Sequence, residues 1–173
     1  MKLLITGRPG CGKTTLCKKA VEALRDKLAV GGVITEEIRR GGKRTGFKIM
    51  DLVTGEETLL ARTGPGQGPR VGRYVVNIDA LHGLGERALH RAVEECDLIV
   101  IDEVGAMELK SPGFAAAVAK AFNSEKHVIA TIPLKSGHEI INELRRREDI
   151  ALIEISPENR ENVLDKILER FER

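Results

Sequence analysis

No tryptophan occurs in the chain, and one tyrosine and four phenylalanines are its only aromatics. The base-stacking platforms of single-strand binders would have almost nothing to be built from. An excess of one charge is missing as well: 28 Lys and Arg against 26 Asp and Glu leave +2, too little to argue for a nucleic-acid partner. No apolar run approaches the roughly 20 residues that span a bilayer, so no membrane association is expected. Met1-Lys2 leads into a short apolar run and then glycines, which is not the layout of a signal peptide. The three cysteines, Cys11, Cys17 and Cys96, are odd in number and lack metal-ligand spacing, and they read as reduced thiols of a cytoplasmic protein. His82, His90, His127 and His138 are scattered without a ligand pattern.

Against those exclusions stand 173 residues with 42% hydrophobic content, enough for one domain over 1–173 with a sizeable core. KLLIT (2–6) reads as a short buried strand, and Leu16, Ala20, Leu24 and Leu28 recur at helical spacing over 13–28. GGVITEEIR (31–39) reads as a second strand. The glycine turn at 41–46 and the runs GFKIMDLVTG and ETLLA predict a short antiparallel β insertion around 40–62. RTGPGQGPRVGR (62–73) is the most loop-like stretch. After YVVNI, a helix with Asp79 as N-cap is expected, carrying Leu81, Leu84, Ala88, Leu89, Ala92 and Val93 on one face. Strands at 98–102, 127–132 and 150–155 then alternate with helices near 112–122, 137–147 and at the C-terminus. This alternation predicts an α/β fold, a mostly parallel sheet with helices on both faces.

The sharpest signal is MKLLITGRPGCGKTTLC (1–17). Gly7, Arg8, Pro9, Gly10, Cys11, Gly12, Lys13 and Thr14 fit GxxxxGK[ST], the phosphate-loop (Walker A) pattern, after a strand and at the start of a helix. Glycines let backbone N–H groups turn inward around phosphates, and the helix N-terminus favours the anion. Lys13 can reach the terminal phosphates, the Thr14 hydroxyl can ligate Mg²⁺, and Thr15 continues the binding segment. A glycine-rich turn with a solvated lysine is the alternative, and the flanking strand and helix argue against it.

A second segment runs Leu98, Ile99, Val100, Ile101, Asp102, Glu103, Val104, Gly105. A continuously apolar strand ending in two carboxylates places them where ligands collect in open α/β sheets. Asp102 would hold Mg²⁺ directly or through water, and Glu103 would orient or deprotonate an attacking water.

Together these residues resemble the THEP1-type nucleoside-triphosphatases, small P-loop proteins. The resemblance extends through GVITEEIRRGGKRTGFKI (32–49), VGRYVVNI (71–78), IDEVGAMELKS (101–111), ATIP (130–133) and SPENRENVL (156–164), in family order over nearly the full chain. It implies a Rossmann-like P-loop domain that slowly hydrolyses ATP, GTP, CTP and UTP with Mg²⁺, its nucleotide-binding segments falling at 7–14 and 98–105. The GPGQGP loop at 64–69 is richer in glycine than the family pattern.

Other residues carry two readings each. Gly105, in DxxG, would donate its N–H to a γ-phosphate or serve a tight turn. Glu108 would be a further acid near the metal or, by preference, a helix-start charge. One of Arg39, Arg40, Lys43, Arg44, Arg70 and Arg73 would close over the γ-phosphate, or all are solvated loop charges. Glu36 and Glu37 would face the cleft or lie exposed. Thr131 would sense phosphate or simply fill a strand, and Asn159 and Arg160 would meet the base or serve the last helix. No TKxD or NKxD stretch is present, so loose base selection is expected. Two rival functions use the same phosphate site: a nucleotide or small-molecule kinase with its acceptor near 36–77, or a nucleotide-dependent switch for a protein or RNA partner. Strand order bears on the choice between Glu103 and DxxG, and local patterning leaves it open.

Overall fold

The computed structural model describes residues 1–172. β1 (Lys2–Thr6) runs directly into the interior, and α1 (Lys13–Leu24) follows the glycine turn, ending short of Leu28. β2 (Val30–Arg40) is the strand on which the architecture turns. Its first part, Val30–Ile34, pairs in parallel with β7 (Leu98–Asp102). From Val33 onward it pairs antiparallel with β3 (Lys43–Asp51), across a turn in which Gly41 and Gly42 both have positive φ. Such a pair suits the hairpin turn whose twist matches the flanking strands.

β4 (Glu57–Thr63), β5 (Arg70–Val71) and β6 (Tyr74–Val76) complete an antiparallel wing. The insertion expected around 40–62 therefore reaches residue 76, and the loop-like stretch 62–73 contains β5. A glycine-rich connection can still return on itself as a small hairpin, which period-2 patterning does not register.

Beyond the wing, α2 (Ile78–Ala80) passes through a π-helical stretch, Leu81–Gly85, into α3 (Glu86–Glu95). Asn77, not Asp79, occupies the N-cap position of α2, and Asp79 lies in the first turn. A 3₁₀ turn (Glu108–Lys110) precedes α4 (Pro112–Asn123), whose cap Ser111 accepts the Phe114 N–H. β8 (His127–Thr131), α5 (Glu139–Arg146), β9 (Ala151–Glu154) and α6 (Arg160–Glu169) follow.

The nine strands form one sheet in the order β5-β6-β4-β3-β2-β7-β8-β1-β9. Successive residues of each central strand feed opposite layers. Leu3, Ile5, Leu98 and Val100 pack with α1 and α6, whereas Leu4, Ile99, Ile101 and Ala130 pack with α3, α4 and α5. Burial on both faces explains why 98–101 is apolar without alternation. Truncating one such residue, Leu4→Ala for example, would cost about 2–5 kcal/mol. Parallel register brings Ile5 opposite Thr131, Ala130 opposite Ile101, and Ile34 opposite Asp102, so the ends of β1, β7 and β8, with β2 running on past them, open on one edge of the sheet.

Candidate functional site

That edge carries the phosphate loop. Gly12, at φ 103°, sits at the N-cap of α1 in a left-handed conformation that a side chain would strain. The Cys11 N–H donates to the Arg8 carbonyl, and the Leu16 N–H to the Gly12 carbonyl, so the loop passes without a break into the helix. Lys13 Nζ donates to the Gly7 carbonyl at 2.8 Å, folded over its own loop. The first turn of α1 holds no acidic residue, which leaves the positive end of the helix free for an anion. Cys11 is buried in the α1/α6 layer and anchors the loop from behind, while Arg8 is exposed.

Across the edge, Asp102 is 2% exposed. Its Oδ1 accepts the Thr131 hydroxyl at 2.7 Å, and its Oδ2 is buried with no hydrogen-bond partner among the described residues. Burial raises its carboxyl above the usual range, partly offset by the Thr131 and Thr14 hydroxyls and the Lys13 charge. Glu103 also titrates high, through burial first and the Asp102 charge second, with Lys13 opposing. Glu108 is 3% exposed and is pushed well up by burial, then by Glu103. Glu108 stands in the first turn of the 3₁₀ helix, where a helix-start charge was expected, and its side chain is buried on the cleft as well.

A cleft of about 570 Å³ joins these groups, with Lys13, Thr14 and Thr15 on one side and Asp102, Glu103 and Glu108 on another. The wing closes a third side with Thr35, Glu36, Glu37, Arg44 and Phe47. Both glutamates of the 36–37 pair therefore face the cleft. Glu36 is paired with Lys18 and, at 3.6 Å, with Lys48. Of Arg39, Arg40, Lys43, Arg44, Arg70 and Arg73, Arg44 alone lines this cleft. It donates to the Tyr74 hydroxyl at 2.7 Å and to Glu37 Oε1 at 3.2 Å, and lies over the Phe47 and Tyr74 rings.

Other candidates fall elsewhere. Leu98, Ile99, Val100 and Ile101 are wholly buried in the two layers, and Val104 is buried with them. They carry the carboxylates to the edge without lining the cleft. The Gly105 N–H donates to Glu108 Oε2 at 3.1 Å, so it is engaged within its own turn. Asn159 sits at the N-cap of α6 but makes no cap hydrogen bond; it accepts the Ser156 N–H and donates to the Glu154 carbonyl. Arg160 leans on the loop itself, its Nη1 3.5 Å from the Cys11 carbonyl and its guanidinium against Gly12. Thr35 was not singled out from the sequence. Its hydroxyl is buried with no hydrogen-bond partner among the described residues, beside the end of β7, and only strand pairing reveals that position.

Among the described residues, no group of three or more His, Cys, Asp and Glu side chains could hold a metal ion. The donor set that does occur, one threonine hydroxyl and one carboxylate with a free buried oxygen, suits a cation that takes its remaining ligands from phosphate and water. The residues present fit a divalent ion in that mode.

A glycine-rich loop opening a helix beside strand-end carboxylates, in a sheet of this kind, defines a P-loop nucleotide-binding protein. The family model described as NTPase matches residues 2–168. The Thermotoga maritima nucleoside-triphosphatase THEP1 is 49% identical over 168 residues, covering 97% of this chain and 94% of that one. The Archaeoglobus fulgidus THEP1 is 48% identical over 92% of this chain and 93% of its own. The crystal structure of THEP1 from the hyperthermophile Aquifex aeolicus superposes with a TM-score of 0.90 at 39% identity, covering both chains completely. The solution structure of a human cancer-related nucleoside triphosphatase gives 0.81 at 35% identity, over 97% of this chain and 95% of that one. The chain belongs to this NTPase family.

Proposed function

We propose that the protein is a Mg²⁺-dependent nucleoside-triphosphatase that cleaves the γ-phosphate of ATP, GTP, CTP and UTP with loose base selection and low turnover. The observation that carries the reading is the shared cleft, in which the phosphate loop faces the Asp102–Glu103 carboxylates. Glu103, its proton affinity raised by burial, takes a proton from water as the water oxygen bonds to the γ-phosphorus. The bond from the γ-phosphorus to the bridging oxygen breaks, and nucleoside diphosphate leaves. Lys13 and the loop amides stabilise the charge that develops. Thr14 and Asp102 would hold Mg²⁺, which supplies charge neutralisation at the phosphates when bound. Gly105, its N–H already given to Glu108, is the weaker analogy to a phosphate-sensing switch glycine. Loose base selection is supported by Asn159, whose amide is committed to its own loop. Arg44 is held by Glu37 and Tyr74, which supports low intrinsic turnover.

Phosphate release from each of the four triphosphates, compared between wild type and Glu103→Gln, tests this reading. Slow release from all four, reduced about 100-fold or more by the substitution with nucleotide still bound, is the expected result. A wild-type rate in Glu103→Gln removes it as base, and no release from wild type removes the hydrolase.

The wing favours one second reading. Arg44 and Phe47 line the cleft with room for an acceptor, so a hydroxyl could replace water in the same step. Stoichiometric phosphorylated acceptor, with little free phosphate, would decide for a kinase.

A further inference from the structure

The proposed mechanism leaves Glu108 without a task, although it is one of the few buried charged side chains and lies in the same cleft. Its surroundings are specific. Glu108 Oε2 accepts the Gly105 N–H at 3.1 Å, and the Leu109 N–H returns to the Gly105 carbonyl at 3.0 Å, closing a tight turn. One residue earlier, the Val104 N–H donates to the Thr131 carbonyl on β8 at 2.9 Å, so the turn is riveted to the sheet. Gly105 in turn touches Glu103: a Cβ added at Gly105 would stand 2.6 Å from Glu103 Oε1 and 3.1 Å from its Cγ and Cδ. The Glu103 side chain therefore lies across the bare Cα of Gly105, and whatever holds Gly105 holds the surface on which that carboxylate rests.

We infer that Glu108 is a positioning residue, whose carboxylate clamps the Gly105 amide and so sets the Glu103 carboxylate in the cleft. The inference rests on the reading of Glu103 as the group that acts on water. Glu108 needs only an acceptor oxygen for this work, since the contact it makes is to a neutral N–H. A role as metal ligand or proton donor would instead require the carboxyl group itself. Displacement of a reacting group by about an ångström can cost on the order of 100-fold in rate, so the loss of the clamp should appear in kcat.

The test compares Glu108→Gln, Glu108→Leu and Gly105→Ala in Mg²⁺-dependent phosphate release, with triphosphate Kd and thermal midpoint measured for each. Gln retains the acceptor oxygen and is expected to keep kcat within about threefold of wild type. Leu removes the acceptor and is expected to lower kcat by about 10- to 100-fold with Kd unchanged. Gly105→Ala, at a position whose backbone an alanine can adopt, places a methyl group against Glu103 and is expected to lower kcat without moving the midpoint. If Glu108→Leu does not fold, the Gln and Gly105→Ala variants decide. Equal losses in Gln and Leu would overturn the inference in favour of a carboxyl-specific role. A wild-type kcat in Leu or in Gly105→Ala would overturn it outright. Failure of the underlying reading is visible separately, as a wild-type rate in Glu103→Gln.

Discussion

β7 is buried at every position, whereas β3, on the other side of β2, buries only Gly46, Ile49 and Asp51. Both strands pair with the same neighbour, and the difference lies in what covers them. Helices lie on both faces of β7, so every side chain must be apolar until the strand reaches the edge, where Asp102 appears. The wing is covered chiefly on one face and meets water and the cleft on the other. It accordingly carries ion pairs: Lys48 with Glu36 and Glu57, and Arg44 with Glu37. The parallel half thus acts as a rigid holder for the phosphate loop and carboxylates. The wing supplies a polar wall along the cleft, with Glu36, Glu37 and Arg44 on it.

Lys13→Ala tests the holder most directly. Phosphate release should fall by about 100- to 1,000-fold, because a charge aimed at the reacting phosphates is lost. The thermal midpoint of the free protein should barely move. A loss below tenfold would mean that the loop amides alone carry the charge, and the contrast between halves would weaken.

The joint between the halves is next. Asp51 is fully buried at the end of β3, pairs with Arg91 of α3 at 2.7 Å and accepts the Val53 N–H at 2.9 Å. Asp51→Ala leaves Arg91 and that amide unpaired and should cost about 3–5 kcal/mol in denaturant unfolding. With folded protein in excess, kcat should stay near wild type. A large loss of kcat at unchanged stability would show the wing to be part of the chemistry.

Arg44→Ala then asks how much the wall contributes. It should weaken triphosphate binding or slow release by up to about tenfold, an effect near 1.4 kcal/mol, because its charge is already shared with Glu37. An effect as large as that of Lys13 would make it a phosphate-contacting arginine. Smallest of all, Lys48→Ala opens a partly exposed network and should leave the thermal midpoint and the rate nearly unchanged.

Much of the holder was legible beforehand. The loop at 7–14 carries its own instructions, since glycines, lysine and threonine at that spacing have few other uses between a strand and a helix. The run 98–102 announces a doubly covered strand by its unbroken apolarity. The wing was read less well, its extent underestimated by the length of β5 and β6, because short strands among glycines have no periodicity to detect. Glu108 was placed at a helix start, where it lies, but its burial on the cleft was not legible, because only the folded turn brings it beside Glu103.

The sequence by itself determined that a phosphate loop opens a helix and that two carboxylates end a buried strand, because both are written in contiguous residues obeying local steric and burial rules. Tertiary structure alone decided that β8 lies between β1 and β7, with Thr131 bonded to Asp102. It also decided that Arg44, among its basic neighbours, faces the cleft, and that Glu108 turns inward to the Gly105 amide. These are contacts between segments whose pairing minimises the free energy of the whole sheet, and no short window of residues contains that sum.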